Sequence, residues 1–590
     1  MDLRRHLAGI SRFDVSQFLI ALSLLFAATF LLIGYVSPAV FDFDLGRHLL
    51  FGRLMVENKE IINTNLLSYT NTDFRYINSH WLSEIVLYLI HNSWGHVGLI
   101  VFSTILGSGS LAVLFFFAKK RVPLVALAIT LPIVVSFVVL RADIRPELFS
   151  YLFTSIFITV LYKNREKPTR WLWLLAPLQA MWVNMHIYFA VGPFLIILFL
   201  AESFFCSGKK LTQNGKGFLY AFISTSLASL LNPNHIFGAL NPIFFSRNYG
   251  YSVDENKSFW TIAQEFNPQL LFPYLGLLGA LALLMVRYRK RLMPIEIVIV
   301  SIFGIASVLA YRNFFLFIYL AFFTFARVAS FALEDIWRSL KRNTSTFHAE
   351  IIQIAGLVLL CLTIFSFSMG VGAYVGGLGL AKVERGKSAV DFFIDNKLEG
   401  PIYNGIEFGQ YLASRLYPDH LVYVDGRPEA YPSEFFSTRY TPSHQDPVVF
   451  QQEDERYNFN VAFIYLLHGK IPPITNHLIQ SNDYVLVYFR PPILLFVKNT
   501  PKNQSLIDKY RITDTTFSPA GDERTGTLAQ YVMLFDAVGW PTAAQVAMSE
   551  ITGRNPSACG LKLLLKRDKV ALSTVELPQQ NDCLGFGWWW

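Results

Sequence analysis

The chain has 590 residues, about four times a typical soluble domain, so more than one domain is expected. Hydrophobic residues make up 53% and charged residues only 16%, phenylalanine alone fills 53 positions, and mean hydropathy is +0.38, a balance that excludes disordered, collagenous, coiled-coil and nucleic-acid-reading proteins and leaves a polytopic membrane protein. Residues 1–374 carry 30 Lys and Arg against 19 Asp and Glu while residues 375–590 carry 20 against 23, so the basic excess belongs to the membrane part and loop orientation accounts for it without an acidic partner.

In chain order, about eleven apolar runs of membrane length are expected. They lie near 16–36, 97–118, 123–140, 146–162, 171–183, 187–206, 217–232, 269–286, 293–310, 313–328 and 350–373. The first follows Arg4, Arg5 and Arg12, is long for a signal-peptide core and lacks a small-x-small cleavage site, so it reads as a retained helix. Lys and Arg between the runs alternate in density. One side holds 21 cations on roughly 65 loop residues, among them Lys119–Arg121, Lys209, Lys210 and Arg287–Arg291; the other holds nine on roughly 110. The positive-inside rule puts the dense set, with the N-terminus, in the cytoplasm. An odd number of spans then sends the C-terminal part outside.

The first part, 1–374, is therefore a transmembrane domain with long outer loops at 37–96 and 232–268. Leu50/Leu54, Phe51/Met55 and Arg53/Glu57 repeat at i,i+4 in the first loop, which suits a helix lying in the membrane interface. Trp81, Trp94 and Trp260 fit an interfacial aromatic belt. Residues 375–510 then read as a small α/β domain. Helical stretches near 388–397, 406–416, 446–457 and 472–480 alternate with strand-like runs at 421–425, 460–466, 483–489 and 493–498. Residues 511–590 read as a helical tail, with a hairpin over 525–537 and 540–552 broken at Gly539-Trp540-Pro541. Of four cysteines, Cys559 and Cys583 fall outside the membrane, where a disulfide between them is permitted; the set matches no zinc spacing.

Topology explains the cytoplasmic cations. It does not explain the ionisable groups of the outer turns. Asp42, Asp44 and His48 follow the first run, and His80 and Glu84 approach the second. Arg141, Asp143, Arg145 and Glu147 sit between the third and fourth, Asn184 and His186 between the fifth and sixth, Asn232 and His235 after the seventh, and Arg312 after the ninth. Such groups are costly beside hydrocarbon and mark a functional site by default. Carboxylates, histidines and arginines on one membrane face suit a phosphorylated, lipid-anchored substrate.

Each also has a plainer reading. Asp44 fits the N-cap of a helix over 45–57, with Arg47 where a capping-box Glu would stand. Arg141/Glu147 and Arg145/Asp143 fit ion pairs that hold a turn, and His186 and His235 fit interfacial histidines bonded to carbonyls. Arg312 has few local carboxylates to pair with. No P-loop, dinucleotide glycine motif, hydrolase elbow, zincin motif or CxxC pair is present.

Asp42-Phe-Asp-Leu-Gly-Arg-His-Leu, Asn65-Leu-Leu-Ser-Tyr-Thr and His80-Trp-Leu-Ser-Glu84 resemble the first outer loop of bacterial GT-C-type membrane glycosyltransferase-like proteins. Arg145-Pro-Glu-Leu-Phe-Ser, Trp182-Val-Asn-Met-His186, Leu231-Asn-Pro and Tyr311-Arg-Asn-Phe-Phe continue the resemblance, as do Tyr403-Asn-Gly-Ile-Glu-Phe-Gly-Gln-Tyr-Leu and Val424-Asp-Gly-Arg-Pro-Glu-Ala-Tyr. The matches run in order over about residues 15–500. The resemblance implies a many-helix membrane domain, a catalytic acid in the first outer loop and a polyprenyl-phosphate-linked sugar donor. Asp44 takes the catalytic-acid position and Asp42 is its neighbour. Gly46-Arg47 departs from the bulky aromatic residues common there. Members of the class differ on metal dependence, so a divalent metal is left open.

The expectation is an inverting transfer at the outer membrane face to a glycan, lipid or protein acceptor, with Asp44 as general base. Arg312, with Arg145 or Arg141, holds the lipid phosphate, and His48, His80, Glu84, His186 and His235 bind or position substrate. The second reading is a non-catalytic relative that binds lipid-linked glycan or scaffolds an envelope assembly, favoured by Asp44 as a cap and by Gly46-Arg47. A transporter, the third, calls for ionisable residues at mid-membrane depth. Glu202 and Glu296, the nearest, both sit toward cytoplasmic ends of their runs.

Overall fold

A computed structural model describes residues 43–343 and 386–553, apart from 142, 245–248, 266–267, 467–470, 520 and 522–524. The chain divides into two compact units: one of residues 1–62, 77–247 and 252–382, the other of 63–76, 248–251 and 383–590. Asp42, the expected runs 16–36 and 350–373, and Cys361, Cys559 and Cys583 lie outside the described residues.

The first unit is helical. Its helices are α1 (Phe43–Asn58), α2 (Trp81–Ala118), α3 (Leu124–Val138), α4 (Glu147–Glu166), α5 (Leu175–Met185), α6 (Val191–Cys206), α7 (Gln213–Ala228), α8 (His235–Phe244), α9 (Phe259–Glu265), α10 (Pro268–Arg287), α11 (Pro294–Leu309) and α12 (Asn313–Asn343). Among the described residues three helical stretches are long and apolar enough to cross a membrane: Trp81–Ala118, Ile187–Cys206 and Asn313–Ser339. Leu124–Val138, Phe272–Arg287 and Pro294–Leu309 are apolar but shorter. The core runs through α4 and α12. Phe314 to Phe323 are buried without interruption, as a helix enclosed on all sides requires, and Tyr151 stacks on Tyr319 at 4.9 Å.

Two expected runs differ in form. The helix that holds 97–118 begins already at Trp81 and has 38 residues, about 57 Å at the α-helical rise against a hydrocarbon core of about 30 Å. It is broken at Gly95, whose φ of 61° and ψ of −156° only glycine adopts readily, so the expected start at 97 falls just beyond the break. The run 171–183 is a 3-10 turn (Arg170–Leu174) followed by the 11 residues of α5, together about 26 Å at the 3-10 and α-helical rises. At the expected cytoplasmic ends, Arg165 is paired with Glu202 (2.7 Å) and Arg327 with Glu296.

The second unit holds α13 (Lys387–Asp395), β1 (Ile402–Asn404), α14 (Ile406–Leu416), α15 (Pro447–Tyr457), β2 (Val461–Tyr465), α16 (Ile474–Gln480), β3 (Tyr484–Arg490), β4 (Ile493–Lys498), α17 (Gln504–Tyr510), α18 (Thr525–Ala537) and α19 (Pro541–Gly553). The sheet order is β1-β2-β4-β3, with β1 parallel to β2 and the other pairs antiparallel. Two details depart from expectation. Residues 402–404 form a strand that sequence pattern missed, and 421–425 make only isolated bridges, from Val422 to Ser68 and to Ile402. The reason is a side chain: Asn404 Oδ1 accepts from Tyr423 N–H (2.9 Å) and Asn404 Nδ2 donates to the Val424 carbonyl (2.7 Å), taking the groups a ladder would use.

The segments 403–412 and 424–431 are thus joined to each other. Buried Arg427 makes two bonds to Asp425, Nε to Oδ1 at 2.7 Å and Nη2 to Oδ2 at 2.6 Å, and reaches Tyr76 (3.0 Å) and Asn65 (2.9 Å). That pair fastens 63–76 to the rest of its unit.

Candidate functional site

Helix α1 presents Asp44, Arg47 and His48 at i, i+3 and i+4, hence on one face. Leu45, Leu50, Phe51, Leu54 and Met55 are buried. The helix sits tight against the first turn of α2 at Gly52, where an added Cβ would lie 2.2 Å from the Glu84 carbonyl oxygen. No side chain fits there. This approach sets Glu84, itself fully buried, beside α1.

Glu84 Oε1 accepts from Arg47 Nη1 (3.2 Å) and from His48 Nδ1 (2.9 Å), and Oε2 accepts from Asn78 Nδ2 (2.9 Å). Since a guanidinium only donates, the 3.2 Å contact of Arg47 Nη2 with His48 Nε2 makes that nitrogen an acceptor. His48 is therefore the neutral Nδ1–H tautomer. Burial, then the charge of Arg47, holds its pKa below the ordinary value, which suits that state.

His186 ends α5, and its Nδ1 accepts from the Tyr188 N–H (3.3 Å). Ser150 on α4 takes the Trp182 N–H at 2.8 Å and lies 2.9 Å from the same Nδ1, so it donates there and the His186 proton is on Nε2. Burial dominates in pushing His186 down to about 3, against the opposing pull of Glu147. His80 is pushed well down by burial and then by His186. The rings follow one another: His48 to His80 at 6.1 Å, His80 to His186 at 5.2 Å and His186 to Tyr188 at 4.7 Å.

All three histidines are neutral at pH 7, and the sign of their linkage follows. The folded state refuses a proton that the unfolded chain accepts near 6.5, so the stability each contributes is complete above that value and is lost as pH falls through its lowered folded-state value, about 3 for His186. The apparent melting temperature of the detergent-purified chain should fall between pH 7 and pH 5. The slope should be shallower in His186→Gln, which removes one titrating ring. An unchanged slope would show that His186 is protonated when folded.

The arginines form the other half of the site. Arg145 Nη2 lies 3.0 Å from Asp44 Oδ2, and Arg145 Nη1 lies 2.9 Å from Glu255 Oε1. Arg141 Nη2 reaches the same Glu255 oxygen at 2.8 Å and grips Glu147 with two bonds of 3.1 Å. Arg312 lies 4.0 Å from Glu147, donates to Asn256 Oδ1 (3.1 Å) and stands 5.8 Å from the Tyr188 ring centre. Burial would raise the Glu255 carboxyl, but Arg141 and Arg145 outweigh it and its pKa is lowered. From Asp44 the contacts run through Arg145, Glu255, Arg141, Glu147, Arg312, Tyr188, His186, His80 and His48, back to α1.

Asp44, His48, His80, Glu84, Arg141, Arg145, His186 and Arg312 are thus brought together. His235 is not: it is exposed at the start of α8 with a φ of 47°, and among the described residues its ring makes no bond to the cluster. Asp44 is in the first turn of α1, and its carboxylate engages Arg145. Arg141 pairs with Glu147 as the plainer reading expected, whereas Arg145 is 3.9 Å from Asp143 and much closer to Asp44 and Glu255. Glu255, Asn256, Tyr188 and Asn78 were missed. Glu255 was findable only as one more ionisable residue of the 232–268 loop; the other three carry no charge to draw notice.

The chain matches no protein-family model and none of the curated proteins. Its fold is similar to the crystal structure of an oligosaccharyltransferase from Archaeoglobus fulgidus in the apo form, at 11% identity over 76% of this chain and 70% of that one, with a TM-score of 0.51. The same enzyme tethered by a disulfide to an acceptor peptide containing the NVT sequon gives 11% identity over 83% and 74%, with a TM-score of 0.50. ArnT from Cupriavidus metallidurans in the apo state gives 14% identity over 81% and 98%, with a TM-score of 0.46. At these identities the likeness to the oligosaccharyltransferase is one of fold alone.

Proposed function

We propose that the chain is an inverting membrane glycosyltransferase that moves a sugar from a polyprenyl-phosphate-linked donor to a glycan, lipid or protein acceptor. The observation that carries the reading is one connected cluster in which a carboxylate of the first outer loop, Asp44, pairs with Arg145, which is linked through Glu255 to Arg141 and onward through Glu147 to Arg312. The acceptor oxygen attacks the anomeric carbon and its proton passes to Asp44. The bond from that carbon to the phosphate oxygen breaks, and its electron pair stays on the phosphate. Arg141, Arg145 and Arg312 offset the charge that develops there. A single displacement inverts the anomeric centre. The neutral His80 and His186 orient substrate hydroxyls, while His48, with both ring nitrogens engaged by Glu84 and Arg47, braces α1 beside them. This reading carries with it about eleven membrane spans, a bacterial inner membrane, a cytoplasmic N-terminus and an external α/β unit.

Donor binding tests the clamp. Arg312→Ala should weaken binding of a polyprenyl-phosphate sugar by about ten- to a hundredfold, and Arg312→Lys by less, because a lysine restores charge but not the planar fork. Equal losses in the two variants would make Arg312 a structural residue. The second reading, binding without transfer, is favoured by the engagement of Asp44 with Arg145, and substitution at Asp44 separates the two.

A further inference from the structure

The arginine cluster is already over-supplied with negative charge. Among the described residues, Arg141, Arg145 and Arg312 lie within 4.0 Å of four carboxylates, Asp44, Asp143, Glu147 and Glu255. The neutral histidines beside them add no positive charge. A phosphate entering this cluster would meet a net excess of carboxylate, so one carboxylate has to give way.

The four are not equally placed. Glu147 begins α4 and is held by two bonds to Arg141 and one from Tyr151 (3.3 Å). Asp44 belongs to α1, and Asp143 stands 3.9 Å from both Arg141 and Arg145. Glu255 differs. It sits on a single 3-10 turn, Asp254–Asn256, outside the long helices, and one of its oxygens bridges two guanidinium groups at 2.8 and 2.9 Å. The next residue, Asn256, takes the third guanidinium, Arg312. The carbonyls of Glu255 and Lys257 accept from the N–H groups of Arg312 (3.0 Å) and Tyr311 (2.9 Å). One short turn therefore covers all three arginines. Phe259, buried against Tyr274, Tyr311 and Phe314, anchors the chain just beyond it.

We infer that the Asp254–Lys257 turn is a built-in anionic plug: Glu255 occupies the position of the donor's phosphate, and the turn lifts as a unit when a lipid-linked phosphate takes the guanidinium groups. This inference rests on the proposed phosphate clamp. It makes Glu255 a residue that sets donor affinity and selectivity, since only an anion able to satisfy both Arg141 and Arg145 repays the bonds lost. The exchange also frees Arg145 from its carboxylate partner on the turn while leaving it beside Asp44.

The test uses the full chain purified in detergent, with inorganic phosphate and farnesyl phosphate as probes. Glu255→Gln keeps the shape and removes the competing charge, so it should bind both probes at least about tenfold more tightly than wild type. Arg145→Ala should bind both more weakly. Unchanged or weaker binding in Glu255→Gln overturns the plug; the clamp stands if Arg145→Ala still loses affinity, and both fall if it does not. Farnesyl phosphate should bind more tightly than inorganic phosphate in wild type, and the reverse order overturns the lipid-linked source. A readout on the wild-type chain guards against a misfolded variant. Saturating farnesyl phosphate should speed hydrogen exchange at the amides of Tyr311 and Arg312, which lose their carbonyl partners as the turn lifts. Slower or unchanged exchange there overturns the inference.

Discussion

Asp44→Asn is expected to lower sugar transfer by roughly two to four orders of magnitude while leaving folding near wild type and donor binding at least as tight, since a carboxylate charge beside Arg145 is removed. The amide keeps the size of the side chain and can still accept a bond from Arg145, 3.0 Å away, but it cannot take the acceptor's proton. Asp44 is the second residue of α1 and not its N-cap, so the helix start should lose only the interaction of the charge with the helix dipole, about 0.3–1 kcal/mol, in Asp44→Asn and in Asp44→Ala alike. Asp42→Asn belongs beside it, since the two carboxylates stand two residues apart and either could serve as base. The measurement is transfer from a polyprenyl-phosphate donor by purified single variants. Wild-type turnover in both Asn variants would remove Asp42 and Asp44 as individually required bases and favour the binding-scaffold reading.

A comparable free-energy loss is expected within the second unit, at Asp425→Ala. Asp425 is fully buried and Arg427 is 1% exposed, so removing the carboxylate strands a guanidinium in the interior. Losses of about 3–5 kcal/mol are typical of such a break. The apparent melting temperature of the purified chain should fall, and trypsin should cut sooner at Arg75, because Arg427 also holds Tyr76 and Asn65 in the 63–76 segment. Replacing both partners together, Asp425→Leu with Arg427→Met, should cost less than the single change, since no unpaired charge remains. A single variant as stable as wild type would mean that the hydrogen bonds to Tyr76 and Asn65 alone satisfy Arg427.

Periodicity and composition by themselves determined much of this protein. The apolar content demanded a membrane domain, and runs of helical period located α14 at 406–416, the stretch near 446–457 that is α15, and the hairpin of α18 and α19. The set of ionisable residues in the turns between the apolar runs was also legible, since charge beside such runs is conspicuous. Tertiary structure decided the rest. That Arg145 takes Asp44 and Glu255 rather than Asp143 depends on the approach of α1, α4 and the 254–257 turn, segments far apart in the chain. The three-residue strand β1 is too short to show a period, and 421–425 has strand composition but loses its ladder to the side chain of Asn404. The 38-residue helix from Trp81 is interrupted in its apolar run by His91-Asn92-Ser93 and His96, so hydropathy marks only its part after 97, and Glu84 in its first turn is buried because Arg47, His48 and Asn78 converge on it. Local sequence records burial and period; which charge meets which is settled only when distant segments pack, because each bond is worth having only against the particular partner that desolvation leaves within reach.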